Sequence, residues 1–180
     1  MEREIRNRQN RLARECITSA LIRLVREKPL STVSVKELSE RAGVSRMTFY
    51  RNYTSTEDIL ISRIHDILTQ YRQDDAERER QGRFYDAERV RHSLTYFYRH
   101  KDFVDSLTYC GLNDIFLREL TRFALDKWLP RRDDPVEQYR LVSFVGILFN
   151  SYMTWIQSPQ DMSLEELTGQ IASICRKAYA

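Results

Sequence analysis

Residues 32–60 read TVSVKELSERAGVSRMTFYRNYTSTEDIL, and the order of polar, apolar and glycine positions in them decides the fold. Ser34 stands before Val35 and Leu38 and has Glu37 three residues on. That is the capping-box spacing, in which the serine hydroxyl accepts from the Glu37 amide and the Glu37 carboxylate reaches back. Gly43 supplies a left-handed residue that closes a short helix, a conformation that a Cβ makes costly. Ser45 then caps a second short helix. Val35, Leu38, Ala42, Val44 and Phe49 are expected to face inward with Met47 beside them, leaving Arg46, Thr48, Tyr50 and Arg51 outward. Two short helices about a glycine turn, the second polar and basic outside, have the layout of a helix-turn-helix whose second helix lies in the DNA major groove.

The outward residue types suit that task. Arg46 and Arg51 can bond phosphates or guanine edges, and Thr48 can offer a hydroxyl or a methyl to a base. Tyr50 and Tyr53 can stack on sugar and bond phosphate. Ser34, Lys36, Ser45 and Thr56 complete the candidate DNA-contacting set. Charge is distributed accordingly: residues 1–53 hold 12 Lys/Arg against 6 Asp/Glu, whereas residues 54–180 hold 17 against 20. A basic amino-terminal third on an acidic remainder is the footprint of a module that meets polyanionic phosphate.

Working outward, 180 residues with 42% hydrophobic content can bury a real core. Five glycines and four prolines are too few for the turns of a β fold, and the long Leu/Arg/Glu/Ile stretches favour helices. The expected class is all-α with about nine helices, divided into a helix-turn-helix domain over 1–53 and a helical domain over 54–180.

Five arginines (Arg3, Arg6, Arg8, Arg11, Arg14) lead into an apolar helical stripe that begins at Leu12 and continues through Cys16, Ile17, Ala20, Leu21, Leu24 and Val25. The arginines read either as a solvated helix end or as a flexible arm touching phosphates. After residue 54 the stripe Ile59, Leu60, Ile64, Ile67, Leu68 and Tyr71 marks a fourth helix; the run DDAERERQGR, residues 74–83, reads as its frayed end and a solvated loop. Further helices are expected near 86–100, 102–109 and 113–129. From Val136 to Ile156 a helix is apolar nearly all round and so expected to be buried on all sides, with Gln138, Arg140 and Asn150 arguing against a membrane span. A last stripe, Leu164, Leu167, Ile171, Ile174 and Ala178, follows the capping sequence Ser163-Leu164-Glu165-Glu166. Two such helices from each of two subunits would form an intermolecular four-helix bundle.

The pattern V-x-x-L-x-x-x-A-G-V-S-x-x-T-F-Y-x-x-Y-x-x-x-x-x-I-L, here Val35 to Leu60, resembles the TetR/AcrR family of transcriptional regulators. The resemblance covers about residues 10–65; beyond them only the helical layout is shared. It implies a homodimer that binds a double-stranded operator, with dimer contacts and an effector pocket in the larger domain. It also implies a phosphate-gripping lysine at the start of the fourth helix, where this chain has Thr56, so that a charge-assisted contact is lost.

Tyr96, Phe103, Tyr109, Phe116, Phe144 and Tyr152, with Asn113 as a polar anchor, could line a pocket for a small apolar or aromatic effector, or could simply be core. Enzymatic readings find no glycine-rich phosphate loop, no H-E-x-x-H and no nucleophile elbow, and no cofactor is expected. The three histidines show no metal-ligand spacing, and the dispersed cysteines (Cys16, Cys110, Cys175) read as small hydrophobes in a reducing compartment. With no signal-like start, a cytoplasmic protein is expected. The competing expectation is a helical adaptor or co-activator that acts through protein partners without an operator of its own.

Overall fold

In the computed structural model, which describes residues 2–76, 83–129, 134–158 and 162–179, the backbone forms nine α-helices and one 3-10 turn, with no strand among the described residues. The helices are α1 (Glu2–Glu27), α2 (Val35–Ala42), α3 (Arg46–Asn52), α4 (Thr56–Ala76), α5 (Ala87–Tyr98), α6 (Lys101–Tyr109), α7 (Asn113–Trp128), α8 (Pro135–Gln157) and α9 (Leu164–Tyr179). The chain is all-α, as its sparse turn residues dictate. Among the described residues no helix is long and apolar enough to cross a membrane.

The chain divides into two compact units, Met1–Asp66 with Asp102–Asn113, and Ile67–Lys101 with Asp114–Ala180. The unit that holds the helix-turn-helix thus extends past residue 53. Ile59, Leu60 and Ile64 of α4 and Phe103, Val104 and Leu107 of α6 are buried in it. Arg26 on α1 also donates to the Asp102 carboxylate at 3.1 Å. Within this unit α1 packs on α2 and α3, and α2 on α3. Ile17, Leu21, Leu24, Leu38 and Phe49 are fully buried. Leu12, expected to open the apolar stripe of α1, is instead 60% exposed, and the buried part of the stripe begins at Ile17. The arginine-rich start is helical; the side chain of Arg3 lies outside the described residues.

In the second unit α9 packs on α5 and α8. Tyr71 of α4 sits in an aromatic nest, with ring centroids 5.1 Å from Tyr96, 5.6 Å from Phe97 and 5.7 Å from Phe123. Its hydroxyl bonds Ser93 at 2.8 Å, and burial pushes its pKa well above the usual phenol range.

One expectation fails here. Asp75, assigned from its charged run to a frayed and solvated end, is 1% exposed. Its carboxylate accepts from Lys127 Nζ and, at 3.3 Å, from Arg89, with His92 Nε2 at 3.9 Å. A buried carboxylate needs compensating charge, which Arg89 and Lys127 supply from 14 and 52 positions away, out of reach of a local pattern. The rest of the expected loop, residues 77–82, lies outside the described residues.

The helix apolar nearly all round, with one face expected to meet its own domain and the other a second subunit, has only one face covered within a single chain. Val136, Tyr139 and Val142 on α8 and Ile174 on α9 are exposed, whereas Leu141, Phe144, Val145 and Phe149 are buried.

Candidate nucleic-acid interface

The helix-turn-helix is assembled by three local devices. Ser34 caps α2 by accepting from the Glu37 amide at 3.2 Å. The other half of the expected capping box does not form: the Glu37 carboxylate pairs with Lys28 Nζ and so ties α2 to the end of α1. Gly43, at φ 67° and ψ 30°, then reverses the chain. Its amide reaches Glu40 O at 3.2 Å and the Val44 amide reaches Ser39 O at 3.0 Å, the paired bonds of a Schellman turn. Ser45 caps α3, accepting from the Thr48 amide at 3.1 Å, and its hydroxyl lies 3.0 Å from the Thr48 hydroxyl.

Phe49 anchors α3 in the core, with the Tyr50 ring edge-on to it at 5.3 Å. Arg46, Tyr50 and Arg51 are exposed as the sequence requires, as are Ser34, Lys36 and Ser45; Thr48 and Thr56 are half-buried. Two residues depart from expectation. Met47, placed beside the inward set, is 76% exposed. Tyr53, placed among the DNA contacts, is 3% exposed, its ring tilted against Phe49 at 6.0 Å. The reason is helical phase: α3 ends at Asn52, and extended backbone at Tyr53 (φ −144°) returns that side chain to the core.

Arg14 is a residue that sequence reasoning placed only in the basic arm. Its Nε donates to the Tyr53 hydroxyl at 3.3 Å and its terminal nitrogen to Asp66 at 3.0 Å. The hydrogen bond to Tyr53 is the main cause holding its guanidinium pKa above the ordinary value. One side chain of α1 therefore links the end of α3 to α4. No local pattern signals this, since the partners lie 39 and 52 residues away. At the start of α4, Ser55 accepts from the Asp58 amide at 3.1 Å, and Asp58 accepts from the Thr54 amide at 2.9 Å.

Residues 17–62 match the family model described as bacterial regulatory proteins, tetR family. This segment belongs to the TetR family. Regulators of that family bind DNA and control transcription. No curated protein matches the sequence.

Solved structures extend the likeness to the whole fold. Lin0861 from Listeria innocua superposes with a TM-score of 0.76 at 17% identity, over 94% of this chain and 92% of that one. A TetR transcriptional regulator from Streptococcus agalactiae gives 0.60 at 21% identity, over 96% and 98%. The regulator FadR from Bacillus subtilis, solved with stearoyl-CoA, gives 0.56 at 15% identity, over 89% and 96%.

The TetR-like fold scatters the expected effector residues. Phe116, Phe144 and Tyr152 line a cavity of about 50 Å³ in the second unit, together with Tyr71, Phe97 and Phe149. Tyr96 does not line it; its hydroxyl is spent on Ile67 O at 2.9 Å. Phe103 and Asn113 belong to the other unit, where Asn113 accepts from Thr108 at 3.2 Å, and Tyr109 is exposed. Helical period alone places aromatics on a stripe, and tertiary packing decides which of them meet.

Proposed function

We propose that the chain is a homodimeric repressor that grips a pseudo-palindromic operator in the cytoplasm and is released by a small apolar or aromatic effector. The observation that carries this reading is α3 itself. A seven-residue helix capped by Ser45 and pinned by Phe49 turns Arg46, Tyr50 and Arg51 to solvent. Two such helices, one per subunit, would occupy successive major grooves about 34–36 Å apart. Pairing through α8 and α9 is supported by the apolar side chains that a single chain leaves exposed there, Val136, Tyr139, Val142 and Ile174. The aromatic cavity supports an apolar or aromatic effector. At about 50 Å³ it is far below the roughly 300 Å³ of a ligand pocket, so the effector would have to part its walls and select a wider conformation.

Selection of bound fragments from genomic DNA, followed by titration of the purified protein at several salt concentrations, tests the reading. Binding should weaken steeply with salt as phosphate contacts release counterions. Tyr50→Ala and Arg51→Ala should each weaken operator binding about tenfold or more with the fold intact. Unchanged binding by both variants would remove α3 from the interface. Failure to select any fragment would favour an adaptor without an operator.

A further inference from the structure

We infer that Met47 reads sequence by packing its thioether end against the 5-methyl group of a thymine in the major groove. This rests on α3 being the DNA-reading helix, and it names a specificity residue there. Met47 is 76% exposed. It stands two residues from buried Phe49, about 200° around the helix at 3.6 residues per turn, so it points almost directly away from the core. It shares that outermost line with exposed Arg51 one turn on. It also lies in the first turn of α3, the part of a recognition helix that reaches base edges.

The neighbours narrow the chemistry. Ser45 and Thr48 hold each other and the helix cap through their hydroxyls, which leaves them poorly disposed to read a base. Arg46 and Arg51 flank Met47 and can fix phosphates or guanine. Met47 offers no donor and only a weak sulfur acceptor. Its apolar counterpart in the major groove is the thymine methyl, the group that distinguishes T·A there without hydrogen bonding. Three rotatable bonds let the side chain reach and settle against that methyl.

The test uses the full-length protein and a duplex carrying an operator selected from genomic DNA. Each thymine in turn is replaced by deoxyuracil, which removes the methyl and leaves base pairing intact. Wild-type affinity should fall about fourfold, the worth of one buried methyl, at one thymine in each half-site. Met47→Ala should bind the natural operator more weakly by a similar factor, ignore that replacement and keep the wild-type salt slope. Met47→Leu should keep the response. A wild-type protein indifferent to every replacement, or a Met47→Ala protein as responsive as wild type, overturns the inference while leaving α3 as the DNA-binding helix. If no fragment is selected at all, the DNA-binding reading fails and the inference falls with it.

Discussion

Ser45 caps α3 and, in the proposed complex, would also approach phosphate, two roles that a single substitution can separate. Its hydroxyl satisfies the Thr48 amide at the start of α3, and it stands exposed on the face that would meet phosphate. Ser45→Ala should cost about 1 kcal/mol of folding stability through the lost cap, read by urea denaturation. Ser45→Asp should restore that loss, since a carboxylate caps as well as a hydroxyl, yet bind operator more weakly than wild type because it sets a negative charge against phosphate. Equal operator binding by the Asp variant and the wild type would mean that Ser45 does not approach the DNA backbone. Capping residues were legible from sequence because their partners lie three positions away. Arg14 was not, because what it holds, Tyr53 and Asp66, is brought to it only by folding.

Two helices begin with the same serine-to-glutamate spacing and use it differently. At α2 the Glu37 carboxylate is drawn off to Lys28, a partner supplied by the end of α1. At α9 the box closes: Ser163 accepts from the Glu166 amide at 3.2 Å, and the Glu166 carboxylate accepts from the Ser163 amide at 2.8 Å and its hydroxyl at 2.7 Å. The bond from the Ser163 hydroxyl is the main cause of a Glu166 pKa below the ordinary carboxylate value, with the backbone bond second. A carboxylate depressed on folding contributes stability above its unfolded pKa and loses that contribution as pH falls through the lower, folded value. Ser163→Ala should therefore move the Glu166 midpoint part of the way back up, as followed by NMR titration, and narrow the acid window over which the start of α9 stays ordered. An unmoved midpoint would place the cause elsewhere than the hydroxyl.

For the molecule as a whole, the two faces of α8 decide whether one chain is enough. Leu141, Phe144, Val145 and Phe149 are covered within the chain, while Tyr139 stays 72% exposed beside exposed Val136 and Val142. Apolar side chains gathered on one surface mark an interaction site, which in the proposed function is taken by a second copy. Tyr139→Glu would put a charge from each subunit into that shared surface, where desolvation and like-charge repulsion oppose pairing. Sedimentation velocity at micromolar concentration should find the wild type dimeric and the variant shifted to monomer. Operator affinity should fall with it, because in the proposed dimer each subunit would supply one recognition helix. A variant that remains dimeric would put the contact on another face.

What the sequence determined by itself had a short reach. The capping serines, the left-handed Gly43, the helical periods and the all-α class follow from residues within a turn or two of one another, where propensity and spacing act directly. The same local logic exposed Arg46, Tyr50 and Arg51. Tertiary structure alone decided the long-range matters: that Asp75 in a charged run is buried against Lys127 and Arg89, and that three of seven candidate effector residues share a cavity. Each depends on which helices are packed together and at what rotation. A run of letters read with a period of 3.6 residues gives every helix a face, but only packing says what that face meets.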